Sequence, residues 1–222
     1  MQPPFPSRLS GVIFDMDGTL TKTSELIFAC FNHVAEKYLG KTLSPAEIIG
    51  LFGPPEEGGL QRMLGRGDVD DALEDLYSFY CNRHSSMASL HPRIDEILTF
   101  LDERGIRLAI FTGKGSTTTE ITLREFGIAR YFDLIISGSD VAQHKPDPEG
   151  IRRILAALTL PPSEVLMVGD SLSDLRASRA AGVPFASVLW DSYDHEHVLA
   201  AGGEYFFEQP DEFLDWLRGQ VQ

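Results

Sequence analysis

Asp15 and Asp17 stand one residue apart at the end of the apolar run Gly11-Val12-Ile13-Phe14, and Gly18 and Thr19 follow them. Val, Ile and Phe in succession, apolar without alternation, read as a strand buried on both faces. Aspartate is a poor strand residue, so two of them at a strand's carboxyl end ask for a reason beyond local structure. In an open α/β sheet, that end is where ligands bind. Two carboxylates this close raise each other's pKa unless a cation or hydrogen-bond donors compensate. Gly18 permits a sharp turn away from the site. The plainer reading is a turn rich in Asp and Gly. Further polar clusters in the right order decide between the two.

Three such clusters follow. Thr112-Gly113-Lys114 succeeds the run Arg107-Leu108-Ala109-Ile110-Phe111, His144-Lys145-Pro146-Asp147-Pro148 comes next, and Val168-Gly169-Asp170-Ser171-Leu172-Ser173-Asp174 is the last. Asp15-Met16-Asp17-Gly18-Thr19-Leu20 resembles the first motif of the haloacid dehalogenase-like superfamily in its phosphatase form. The other three stretches resemble its second, third (Lys-Pro-Asp-Pro) and fourth (Gly-Asp-x-x-x-Asp) motifs, in order and over almost the full length.

The resemblance implies Asp15 as a nucleophile that becomes an aspartyl-phosphate, and Asp17 as general acid and base. Thr112 would offer a hydroxyl to the phosphoryl oxygens, with Gly113 letting the backbone approach, because a transferring phosphoryl group spreads charge over its equatorial oxygens. Lys145 would pair with Asp15 and the phosphate. Magnesium would take oxygen ligands from Asp15, the Asp17 carbonyl, Asp170 and Asp174. Asp174 has a competing explanation, since Ser171-Leu172-Ser173-Asp174 also reads as a capping box. Lys114 is either a substrate-anion contact or a solvated lysine. Gly113-Lys114 does not make a nucleotide-binding loop, because Gly115 stands where Ser or Thr is required. Dehalogenases of the superfamily lack the second acid of the first motif, so Asp17 points to phosphate chemistry.

The elements that would carry these residues alternate. After the first strand, Ile27, Cys30, Phe31, Val34 and Tyr38 recur at helical spacing up to Gly40, and Ser44-Pro45-Ala46-Glu47 starts another helix. Further helices are expected over 56–64 and 69–84, with no strand between Leu20 and Leu108. From residue 91 the chain alternates: helix 94–103, strand 107–111, helix 116–126, strand 134–137 and helix 147–158 with Asp147 as its cap. Strand 165–169, helix 171–181, strand 185–189, a short terminal strand near 204–207 and helix 211–217 complete it. This is an α/β pattern, a Rossmann-like parallel sheet with helices on both faces. Residues 1–20 and 89–222 are expected to form it, with 21–88 a helical-bundle cap of the kind this superfamily inserts after the first motif.

Net charge is −14 and the pI is near 4.7, which argues against nucleic acid or anionic membrane as partner. Cys30 and Cys81 form neither a disulfide framework nor a metal motif, and no apolar run is long enough to span a bilayer. A cytoplasmic protein, monomer or homodimer, acting on a small phosphorylated metabolite is the expectation. The helical insert and the Thr-x-Lys second motif are similar to those of the phosphoglycolate phosphatase and bacterial pyrophosphatase branch. Thr23-Ser24-Glu25-Leu26-Ile27 and Phe52-Gly53-Pro54 resemble its pyrophosphatase members. The loop Gly53-Pro54-Pro55-Glu56-Glu57 is expected to face the site, with Arg62 as a substrate contact or a solvated charge. His195 and His197 read as surface histidines, and Trp190 and Trp216 as packing residues. A phosphomutase would share the four motifs, and receiver-type regulatory modules also carry an Asp, a Thr and a Lys beside magnesium.

Overall fold

The computed structural model describes residues 2–193 and 195–221. In chain order the elements are β1 (Gly11–Phe14), β2 (Thr21–Lys22), α1 (Ser24–Leu39), α2 (Pro45–Ile49), α3 (Glu56–Leu64), α4 (Asp70–Met87), β3 (Ser89–Leu90), α5 (Ile94–Asp102), β4 (Arg107–Phe111) and α6 (Ser116–Phe126). There follow β5 (Leu134–Ile136), α7 (Glu149–Leu158), β6 (Val165–Gly169), α8 (Leu172–Ala181), β7 (Phe185–Val188), α9 (His195–Ala201), β8 (Tyr205–Phe207) and α10 (Pro210–Gln220).

Six strands form one parallel sheet in the order β5-β4-β1-β6-β7-β8. The unbroken apolar runs follow from helices covering both faces. Val12, Phe14, Leu108, Ile110, Leu166 and Val168 pack on α5 and α10, whereas Ile13, Ala109, Phe111 and Met167 pack on α7 and α8. Side chains alternate across the pleat, so each strand feeds both layers. β1 is central, and successive strands run from it first to one edge and then to the other. The crevice at its carboxyl end is therefore the switch point of the sheet, where such folds place ligands.

Helices α1 to α4 lie between β2 and β3 and share a core of Leu26, Cys30, Phe31, Val34, Ile48, Leu60, Leu76 and Tyr80, joined by Ile121 of α6. The helical periodicity of α1 is seen as expected, and Gly40 closes it in the left-handed conformation, φ 65°. Ser44 and Glu47 form the capping box of α2.

Three expectations need correction. A two-stranded antiparallel ribbon, Thr21↔Leu90 and Lys22↔Ser89, stands where no strand was anticipated. Two-residue strands are too short for alternation to show in sequence. Helix α7 begins at Glu149 rather than Asp147, with Pro148 at its cap position. Asp147 does not cap in the usual way: its Oδ1 accepts from the Glu149 amide at 2.9 Å, a short Asx-type turn before the helix. Helix α9 was not anticipated; of its seven residues only Val198 is buried, so it has little periodic signal.

Candidate active site

The carboxyl ends of β1, β4 and β6 bring the four sequence clusters together. Asp15 continues β1 by one residue, its amide donating to the Val168 carbonyl at 2.8 Å. Lys145 donates from Nζ to Asp15 Oδ1 at 2.9 Å, to the Phe111 carbonyl at 3.1 Å and to Asp174 Oδ1 at 2.5 Å. All three side chains are buried. Asp174 takes the capping part that its sequence context offered and pairs with Lys145 besides. Its Oδ2 accepts from the Ser171 amide and hydroxyl in a complete capping box of α8, while Oδ1 faces Lys145. Asp170 follows β6 directly and accepts from the Thr19 hydroxyl at 3.2 Å.

Carboxylate oxygens of Asp15, Asp170 and Asp174 lie within 4.8 Å of one another. Burial pushes the Asp15 carboxyl up to about 6 against the pull of Lys145, with Asp174 and Asp17 adding to the rise. Asp170 lies well above the usual carboxylate range, through burial first and then repulsion from Asp15 and Asp174. Burial acts against the Lys145 charge, but Asp15 and Asp174 outweigh it and hold the ammonium protonated. Three carboxylates against one ammonium leave two negative charges uncompensated. A hard divalent cation would neutralise them with the oxygen donors it prefers, so the donor set fits magnesium.

Asp17 is turned to a different set of partners, and its carboxylate is not one of the three clustered acids. It accepts from the hydroxyls of Thr23 and Thr21 and pairs with Lys114, Nζ to Oδ2 3.2 Å. Lys114 is thus not the solvated lysine of one sequence reading; it is paired with Asp17 and lines the cavity. Its ammonium is buried, over the Tyr80 ring at 4.6 Å. Burial works against its charge, but Asp17, Tyr80 and Glu56 more than offset this and hold its pKa above the ordinary value. Thr112 is buried at the end of β4, its amide donating to the Ile136 carbonyl and its Oγ1 accepting from the Lys114 amide at 3.2 Å. Gly113 follows it and lines the same cavity. Gly18 has φ +81°, and a Cβ there would fall 2.6 Å from Asp170 Oδ2, so any larger residue would push against an acid of the cluster.

A cavity of about 430 Å³ opens above these residues, lined by Asp15, Asp17, Thr112, Lys114, Lys145 and Asp170 at its base and by the helical segment above. The loop 53–57 does face it. Glu56 reaches across to the N-terminus of α6, accepting from the Gly115 amide at 2.9 Å and the Thr118 hydroxyl. A Cβ on Gly115 would meet Glu56 Oε2 at 2.2 Å, so the glycine makes room for the contact. Of the two readings of Arg62, the solvated charge holds: it is exposed on α3 and is not among the residues that line the cavity.

Sequence reasoning missed Thr19, Thr21, Thr23, Glu56 and Tyr80 as parts of this site. Thr19 lay inside the first motif, and Glu56 inside the loop singled out, so both had a signal. Trp190 does more than pack, since its Nε1 donates to the Thr19 carbonyl at 3.1 Å. His195 is on the surface, paired with Glu208 at 3.3 Å. Cys30 is buried and its thiol is pushed up to about 12 by burial, which leaves it unreactive, whereas Cys81 is exposed.

Residues 12–188 match the family model described as haloacid dehalogenase-like hydrolase. The chain is 30% identical to the pyrophosphatase PpaX of Bacillus velezensis over 93% of its own length and 95% of that protein. A haloacid dehalogenase-like hydrolase family protein of Streptococcus pneumoniae superposes with TM-score 0.78 at 27% identity, covering 94% of this chain and 98% of that one. A predicted phosphoglycolate phosphatase of Haemophilus somnus superposes with TM-score 0.82 at 22% identity, covering 96% and 98%.

Proposed function

The chain belongs to the haloacid dehalogenase-like hydrolase family and is a phosphohydrolase, and from that premise we propose that it cleaves a small phosphate ester through an aspartyl-phosphate on Asp15. The observation that carries this reading is the meeting of Asp15, Lys145, Asp170, Asp174 and Thr112 over one cavity at the switch point of the sheet. Lys145 holds Asp15 Oδ1 and fixes the plane of the carboxylate for in-line attack on phosphorus. Thr112 and the following amides bind the phosphoryl oxygens, which carry the charge of the transition state.

Asp17 delivers a proton to the leaving oxygen and then takes one from the water that attacks the aspartyl-phosphate. Lys114 and Thr23 hold its carboxylate in position for both transfers. Magnesium, held by Asp15, Asp170, Asp174 and the Asp17 carbonyl, would supply charge neutralisation that lets an anionic phosphate approach the acids. The helical segment 21–88 acts as a cap that excludes water while the acyl-phosphate forms. A non-catalytic phospho-acceptor has no use for an acid two residues after the acceptor, and a mutase needs a second anion site. Among the described lining residues, both lysines are already paired with aspartates.

The test is Asp15→Asn against a panel of phosphate esters with magnesium present. Turnover is expected to vanish while the circular dichroism spectrum is unchanged. Hydrolysis by the variant within tenfold of wild type sinks the nucleophile assignment.

A further inference from the structure

The cavity above Asp15 has two ends of different chemistry. Its base carries the acids and both lysines. Its walls and mouth are apolar, formed by Ile27, Phe31, Leu51, Phe52 and Leu76 of the helical segment and by Tyr193 of the loop before α9. Phe52 and Tyr193 are 39% and 53% exposed. They flank Phe28 of α1 with ring centroids 6.3 and 5.9 Å away, so an aromatic rim joins the helical segment to the sheet domain at the entrance.

Apart from Glu56, the part of the lining that the helical segment contributes carries no charged side chain. Among the described residues, Lys114 and Lys145 are the cations that line the cavity. Lys145 is held by Asp15 and Asp174, and Lys114 by Asp17. Glu56 is committed to the N-terminus of α6 through both of its oxygens. Ser171 and Ser173 hydrogen-bond to each other at the base, and Ser24 adds one hydroxyl to the wall. A second phosphate or a carboxylate on the leaving group would enter an apolar chamber whose two lining cations are already paired with aspartates and whose wall offers one hydroxyl, which is unfavourable. An apolar group gains from leaving water there. The volume, about 430 Å³, lies toward the small end of the roughly 300–1,000 Å³ of small-molecule sites.

We propose that the leaving group this cavity accepts is a compact, uncharged apolar or aromatic alcohol, and that the substrate is its phosphate monoester. This rests on the phosphohydrolase reading above. In the reaction the P–O bond to the alcohol breaks, the alcohol oxygen keeps the electron pair and takes the proton from Asp17, and the oxygen of water ends on phosphate. The inference departs from the substrates in the relatives' names, since pyrophosphate and phosphoglycolate both carry an anionic leaving group.

The experiment compares kcat/KM of the magnesium-loaded protein for propyl, butyl, hexyl and phenyl phosphate with that for pyrophosphate and phosphoglycolate. In parallel, calorimetry measures the binding of propyl- to hexylphosphonate and of methylenebisphosphonate. The expected result is a rise of up to roughly fourfold per methylene in both series, with the two doubly anionic substrates at least tenfold poorer than hexyl phosphate. Phe52→Arg, at an exposed loop position, is expected to lower the hexyl phosphate to pyrophosphate ratio by about tenfold, while Phe52→Leu keeps it. A flat chain-length series, or a preference for pyrophosphate or phosphoglycolate, overturns the inference and leaves the phosphohydrolase reading intact. If no ester is hydrolysed, that reading falls, and the phosphonate series still decides whether the chamber takes apolar groups.

Discussion

Asp15, Asp170 and Asp174 are buried together with one lysine between them, an arrangement that disfavours itself until more positive charge arrives. Asp15 is raised from 3.8 to about 6 in the folded protein. A carboxyl raised on folding gives stability that is fully present below its unfolded value and is lost as pH rises through the folded one. The metal-free protein should therefore lose this contribution between about pH 4 and pH 6, with Asp170 acting in the same direction. A cation bound to the ionised acids reverses the loss, so the rise in Tm on adding magnesium should be larger at pH 7 than at pH 5. Scanning calorimetry with and without EDTA at the two pH values checks this, and equal shifts would contradict it. At this scale the sequence was informative because each motif keeps its chemistry within a few consecutive residues. Tyr80 was not legible, nor was the contact that Glu56 makes, because both depend on where distant segments land, as with Glu56 and Gly115, 59 residues apart.

At the scale of elements, α6 begins where two kinds of charge meet. Its first turn follows Thr112-Gly113-Lys114, and the Glu56 carboxylate of α3 seats on its amino end, where backbone N–H groups favour an anion. This ties the helical segment to the sheet domain beside the nucleophile. Glu56→Gln keeps the shape but removes the charge, and should weaken closure by about 1 kcal/mol. KM is expected to rise about fivefold with kcat less affected, and proteolysis of the helical segment to quicken. Unchanged KM and cleavage rates would remove Glu56 from the closing contact. Elements with strong patterns, such as β4 and α6, were read with their observed limits. Those set by chemistry at one residue were not. Pro148 displaces the start of α7 because Asp147 bonds the Glu149 amide, and α9 buries too little to leave a periodic trace.

For the whole molecule, a net charge of −14 opposes every anionic substrate that approaches. Screening should help rather than hinder. Raising ionic strength from about 10 to 150 mM at constant free magnesium should increase kcat/KM for a phosphate ester about twofold, since the Debye length shrinks from roughly 30 to 8 Å. A decrease would indicate a local positive field at the mouth that outweighs the overall charge. The general layout, an alternating sheet domain interrupted by helices, was visible in the sequence, because strand and helix periods differ. The ribbon that joins the two was too short to see, yet it has its own consequence. Lys22 and Ser89 are direct partners across antiparallel strands, so the polypeptide leaves and re-enters at a single stalk. A two-residue Asn-Gly turn could bridge that stalk after excision of residues 23–88, with Ile121 changed to a polar residue where the helices had covered it. Such a miniature should still display the cooperative unfolding of the six-stranded sheet, and the vacated stalk would then be a natural graft point for a foreign domain.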